Sequence, residues 1–223
     1  MFRCVRLPWP RWPSSSSRRS ADTNTAHVTS VTLGAVTDDT TPRWWVLATR
    51  LPAGPSRHRV AVWRELRRTG AIQLGQGTWA VPDLPVFDDG VQRVLELVRR
   101  GDGEVVTLAA AGRDESDNAR LETMFTSARQ EEWSEFLAEC HKFDAEIDKE
   151  IGKGKLTVAE LEEEEQSLDR LRRWYREIKL RDVFSAPEAR QAEQQLKRCA
   201  ERLEDYTERV FQAAHGTNDE GLV

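Results

Sequence analysis

The hydrophobic positions change their spacing twice along this chain. Residues 1–43 hold no sustained period, because Pro8, Pro10 and Pro13, the run Ser14 to Ser17 and scattered Thr break every apolar stretch. Nothing there repays the entropy of ordering, and a disordered tail is predicted. From Trp44 the texture turns to dense apolar runs cut by Gly and Pro. Trp44 to Leu51 is aromatic and β-prone and is stopped by Pro52 to Pro55, which predicts a strand. Ser56 stands in N-cap position before a helix from Arg57 to Thr69, and Gly70 follows as the residue past its end. Ala71 to Leu74 and Thr78 to Val81 form two short strands around Gly75-Gln76-Gly77, whose glycines supply the positive φ of a tight hairpin. Phe87, Val91, Val94, Leu95 and Val98 recur at helical spacing within Val86 to Arg100, Gly101 ends that helix, and Glu104 to Ala111 is a last strand.

After Gly112 the pattern is wholly helical. Leu121, Met124, Phe125, Ala128, Phe136, Cys140, Phe143, Ile147 and Ile151 recur at steps of three and four, and Gly152-Lys153-Gly154 ends the run. Thr157 with Glu160 makes a capping box for a second helix with the stripe Leu161, Leu168, Leu171, Tyr175 and Ile178, and Ser185 with Glu188 makes another. In the third helix Ala192, Leu196, Cys199, Leu203, Tyr206, Val210 and Ala213 follow the spacing of a left-handed bundle seam. The order β-α-β-β-α-β is that of the split βαβ, ferredoxin-like arrangement, with both helices on one face of an antiparallel sheet. The chain is therefore expected to be α+β: a tail at 1–43, a ferredoxin-like domain at 44–112, a helical domain of three helices at 113–215 and a frayed end at 216–223.

Charge is unevenly spread. Residues 1–43 carry six Arg against three Asp and residues 44–112 nine Arg against seven acids, whereas residues 113–223 carry 18 basic against 28 acidic side chains. The formal net charge of −5 thus belongs to the C-terminal half and does not exclude nucleic acid as a partner. No stretch approaches the ~18 apolar residues of a membrane span, so a soluble protein without a membrane partner is expected. Cys4, Cys140 and Cys199 are widely spaced and odd in number, which points to neither a disulfide framework nor a zinc site and fits a reducing cytoplasm. Cys140 beside His141, with Cys199 and His215 on another helix, would be the one cross-helix constellation, but both thiols lie on apolar stripes where Cys acts as a small core residue. The run Glu162 to Glu165 reads as a solvated helix start that complements the positive end of the dipole. There is no Walker loop, HExxH or GxSxG, so no enzyme, cofactor or metal is expected.

The helix after Ser56 is the most informative element. At about 100° per residue Arg57, Arg64 and Arg68 share one face with Ala61, while Val60, Val62, Trp63 and Leu66 occupy the other. Between residues 45 and 75 six Arg meet one acid, Glu65. This face either meets phosphates or an acidic partner, or is a solvated face that keeps the domain soluble. Arg59 falls within the apolar arc beside Trp63, where it either stacks its stem on the indole or, with the helix N-terminus at Ser56, captures an oxyanion.

The stretch WWVLATRLPAGPSRHRVAVWRELRRTGAIQLGQGTWAVPD, Trp44 to Asp83, resembles the opening of the ChrB family, regulators associated with bacterial chromate resistance, and LRDVFSAPEARQAEQQLKRCAERL, Leu180 to Leu203, is similar to the same family's N-terminal module. The resemblance implies a transcriptional regulator of a chromate efflux operon that responds to a tetrahedral dianion. It also implies kinship with the central domain of PaaX-type repressors and with the small ferredoxin-like CRISPR spacer-acquisition proteins. Nucleolytic members of the latter place an Asp near the end of the first strand, where this chain has Ala48-Thr49-Arg50-Leu51, which disfavours a metal-dependent nuclease. Full-length regulators continue beyond the point corresponding to Val223, so this chain is expected to be a stand-alone N-terminal module or one piece of a split regulator.

Residues and resemblance together predict a cytoplasmic, dimeric regulator of chromate resistance. It would contact operator DNA, or help a partner contact it, through Arg57, Arg64 and Arg68, with chromate or a similar oxyanion at Ser56 and Arg59. The competing expectation is a helical protein–protein interaction module without DNA binding, in which the Leu196, Cys199, Leu203 and Tyr206 seam is an intermolecular coiled coil.

Overall fold

The structure, a computed structural model, describes residues 43–216. Of the tail expected at 1–43 only Arg43 lies among the described residues, and of the frayed end only Gly216. Nine elements follow one another: β1 (Trp44–Arg50), α1 (Ser56–Thr69), β2 (Ile72–Gly75), β3 (Thr78–Pro82), α2 (Pro85–Arg100), β4 (Glu104–Ala110), α3 (Glu115–Gly152), α4 (Val158–Arg181) and α5 (Ala189–Gly216). The chain is α+β. Its sheet has four strands in the order β2-β3-β1-β4, with every neighbouring pair antiparallel. In the register Trp44 faces Pro82 on one side and Ala110 on the other, so β1 is central, while β2 and β4 are edges.

Local chemistry explains most of these boundaries. Gly70 adopts φ 87° and closes α1, its amide donating back to Arg67 and Leu66 carbonyls. Gly77 adopts φ 74° in the β2–β3 turn. The Thr157 side chain accepts from the Glu160 amide at the start of α4. Two expected caps are absent. The N-cap of α1 is Pro55 and has no side-chain bond, so Ser56 is the first helical residue and not its cap. Ser185 sits at φ 58° and α5 begins only at Ala189, so the Ser185–Glu188 box does not form. The α4–α5 connection is held instead by Asp182, whose carboxylate accepts from the Ala186 amide at 2.9 and 3.1 Å and from Trp133 Nε1 at 3.0 Å.

Two apolar clusters result. The first joins Val62 and Leu66 of α1, Phe87, Val91, Val94 and Val98 of α2, and Trp44, Leu47, Ala80 and Val81 of the sheet. At Gly90 the two helices approach so closely that a Cβ would stand 2.5 Å from the Thr69 side chain. The second cluster is the interior of the α3–α4–α5 bundle, with Trp133, Phe136, Cys140, Ile147, Leu168, Ile178 and Tyr206 buried. Cys199, Leu203 and Tyr206 face this interior, with Leu196 packed partly buried against it. The seam is therefore an internal core and not an intermolecular coiled coil. Phe125 of α3 belongs to the first cluster and stacks edge-on against Trp44, Phe87 and Phe184 at 5.6–6.0 Å, tying the start of the bundle to the sheet. Among the described residues no helix is long and apolar enough to cross a membrane.

One charged stretch departs from expectation. Glu162, Glu163 and Glu165 are exposed, but Glu164 is buried at 5% exposure, so the run is not uniformly a solvated helix start. Burial foremost, and then the charges of Glu146, Glu163, Glu150 and Glu160, push the Glu164 carboxyl above the usual glutamate value. A folded-state value above the unfolded one means that folding favours the protonated form. The contribution of this group to stability is therefore full below the usual glutamate range and is lost as pH rises through the raised value. Glu164→Gln is expected to remove that contribution to the slope and to raise the stability of the neutral-pH protein. Melting temperatures from pH 4 to 8 check this, and parallel curves for the two proteins would contradict it.

Candidate functional site

α1 and α2 lie side by side and together present eight Arg against four carboxylates, a positive surplus on one layer. Arg57, Arg59, Arg64, Arg67 and Arg68 of α1 and Arg93, Arg99 and Arg100 of α2 are all exposed. Because burial of α1 is confined to Val62, Leu66 and Thr69, its apolar stripe is narrow and the rest of the helix faces outward.

The three Arg singled out from the sequence are on this surface but are not equivalent. Arg57 Nε donates only to the neighbouring His58 Nε2 at 3.4 Å. Arg64 has no ion pair among the described residues. Arg68 grips Glu65 with two bonds of 2.9 and 3.0 Å, and Arg93 of α2 donates to the same carboxylate at 2.7 Å. Burial works against ionised Glu65, yet the bonds from Arg68 and Arg93 overcome it and hold the carboxyl below its ordinary value. The same bond raises the pKa of Arg68. Glu65 thus acts as a rivet between the helices and partly offsets two of the eight charges.

Arg59 and Trp63 do not form the stacked pair expected from the helical wheel. Both are exposed, Trp63 at 51%, and the described residues hold no cation–π contact between them. Val60 is exposed as well, because no element covers that flank of α1. Trp63 and Arg67 instead border a groove of about 400 Å³ that continues over Ile72, Trp79 and Met124. Ser56 is exposed at the uncapped first turn of α1.

The far end of α1 carries a feature the sequence did not announce. Arg129 of α3, only 3% exposed, donates to the Gly70 carbonyl at 3.1 Å, pairs with Glu132 at 3.0 Å and lies 4.7 Å over the Phe125 ring. Arg181, the last residue of α4, donates to the Arg68 carbonyl at 3.3 Å and to the other oxygen of Glu132 at 3.0 Å. Two guanidinium groups therefore sit on the carbonyl end of α1, where the helix dipole is negative, and one carboxylate joins them. Burial pulls the Arg129 pKa down and Glu132 opposes that pull. A Cβ on Gly70 would stand 2.4 Å from Arg129 Nη1, so only Gly admits this approach. The bare carbonyls past α1 were the sequence signal for a cationic partner. Nothing in the spacing said which of the distant Arg would supply it.

The remaining sequence candidates do not converge. Cys140 and Cys199 are free and buried, Cys199 Sγ lying 3.7 Å from the Cys140 carbonyl. The neighbouring Cys140 thiol first, and burial second, push the Cys199 thiol upward, away from thiolate chemistry. His141 is exposed and His215 bonds only to the Phe211 carbonyl of its own helix. Among the described residues no three His, Cys, Asp or Glu gather as a metal site.

Comparison with known proteins covers both halves of this architecture. The family described as protein ChrB, N-terminal, matches residues 59–217. Protein ChrB of Cupriavidus metallidurans is 28% identical over 96 residues, which is 43% of this chain and 29% of that protein. The aligned stretch thus spans well under half the length of the curated relative. No solved structure matches the chain. The family match takes in α1 from Arg59 onward, the strands β2 to β4, the Arg129–Glu132–Arg181 junction and all three bundle helices, and on that extent the chain belongs to the ChrB family.

Proposed function

We propose that this chain is a cytoplasmic transcriptional regulator of chromate resistance whose α1–α2 layer contacts the phosphates of DNA, alone or beside a DNA-binding partner. The observation that carries the reading is the exposed arginine surplus of that layer, in a chain whose residues 113–223 are acidic. Phosphate contacts of this kind supply affinity and register, and base edges are read by other groups. The exposed indole of Trp63 beside Arg67 adds an aromatic to the basic surface. Gel retardation of a duplex from the region upstream of its own gene, at moderate salt, tests the reading. A shifted band is expected, and free DNA at all protein concentrations would overturn it.

The α/β part is read as ferredoxin-like. Its support is the order β-α-β-β-α-β together with a sheet in which β3 separates β1 from β2 and β1 separates β3 from β4. The regulator acts as a homodimer: β4 is a seven-residue edge strand without Lys or Pro, and Val106 and Leu108 are exposed on it. Sedimentation of the full chain should return twice the monomer mass, and a monomer at micromolar concentration would refute this. A chromate-like oxyanion binds at the uncapped first turn of α1 with Ser56 and Arg59, where backbone amides and a cation coincide. Calorimetry should give heat with chromate, and heat with neither chromate nor sulfate would exclude the site. The chain is no enzyme, in keeping with the absence of catalytic motifs from its sequence. DNA incubated with it and magnesium should be recovered intact, and cleavage products would contradict that.

A further inference from the structure

The bundle holds a cavity remote from the arginine layer. α3, α4 and the connection between them line a space of about 800 Å³, walled on its apolar side by Phe143, Leu171 and Trp174. That volume is typical of sites for small organic molecules. Its polar side is crowded with charge, and nearly all of that charge is internally matched. Lys142 pairs with Glu139, Lys149 with Glu146 and Glu150, Lys153 with Glu150, and Lys155 with Glu150 and Glu160.

Glu163, Glu164 and Arg170 also line the space without an ion pair among the described residues, and of these only Glu164 is buried, Arg170 being exposed and bonded to Ser167. Glu164 is 95% buried by its 5% exposure, yet among the described residues no hydrogen bond or ion pair reaches it. A second buried acceptor, Glu150 Oε2, also lacks a hydrogen bond, its nearest cation being Lys155 Nζ at 3.4 Å. A carboxylate on a largely buried side chain, open to the cavity but without a partner in the chain, would be satisfied by a cation delivered into the space. The described residues offer no gathering of ligands for an inorganic ion. The apolar wall, with the Trp174 ring on it, instead suits a cation carried on an organic body.

We propose that this cavity binds an organic cation, an ammonium or amidinium group on an apolar frame, with Glu164 as its counter-charge and Trp174, Phe143 and Leu171 holding the frame. The site is independent of the DNA-binding surface, since no residue of α1 or α2 lines it.

Benzamidine, with its uncharged analogue benzamide, is a direct probe for the full-length chain at neutral pH. Calorimetry is expected to show benzamidine binding and benzamide binding at least tenfold more weakly, and benzamidine should shift the indole N–H resonance of Trp174, identified from Trp174→Phe. Glu164→Gln should weaken benzamidine at least tenfold with an unchanged circular dichroism spectrum. Equal affinity for benzamide, unchanged affinity in Glu164→Gln, or neither heat nor a Trp174 shift with benzamidine would each overturn the proposal. The comparison of the two probes on the wild-type chain stands by itself if the variant does not fold.

Discussion

Replacing Arg57, Arg64 and Arg68 together by Glu is expected to abolish retardation of duplex DNA at moderate salt, while circular dichroism stays native. The substitution swings the α1 surface by six charges, enough to turn the two-helix layer from a surplus of cations to one of anions. Each phosphate contact releases a counter-ion, so losing three of them and adding repulsion costs several orders of magnitude in affinity at moderate salt. The fold survives because all three side chains are exposed. The single variants should rank in a definite order. Arg64→Glu removes a charge with no ion pair among the described residues, whereas Arg68 is already gripped by Glu65 and has less to offer a phosphate. Arg64→Glu should therefore weaken binding more than Arg68→Glu. Unchanged binding in the triple variant would remove this surface from the account.

Glu132→Ala should be the most destabilising single change at the junction, by about 3 kcal/mol. Among the described residues Glu132 is the one carboxylate bonded to both Arg129 and Arg181, and without it two nearby guanidinium groups, one of them buried, repel each other. Arg129→Met should cost less, about 1–2 kcal/mol, because Glu132 keeps Arg181 and the methionine stem fills the space over Phe125, leaving chiefly the Gly70 carbonyl unmet. Urea unfolding of both variants gives the comparison. A milder effect for Glu132→Ala than for Arg129→Met would show that the pair is held by the backbone carbonyls and not by the shared carboxylate.

The sequence displayed the elements whose signals are local. Gly70 ends α1, Gly77 turns the hairpin and Thr157 caps α4 because each needs only its near neighbours. Where a tertiary partner displaced the local signal, the reading failed. The Ser185–Glu188 box gives way to a turn in which Asp182 accepts from the Ala186 amide, because Asp182 is also fixed by Trp133 from another helix. The wheel of α1 gave the direction of its basic face correctly but made the apolar arc too wide. Periodicity cannot tell which flank a neighbour will cover, and none covers Val60 or Trp63. The family resemblance was legible from two blocks of sequence. Arg129, Arg181 and Glu164 were not, since a charged residue on a long amphipathic helix looks solvated until the packing of the other helices is known.

The central claim, that arginines of α1 meet DNA phosphates, is tested most directly by the salt dependence of binding. The logarithm of the association constant should fall linearly with the logarithm of salt concentration, and Arg64→Ala should reduce the slope by about 0.9 while weakening all sequences alike. A slope unchanged by Arg64→Ala, or an affinity indifferent to salt, would contradict the account.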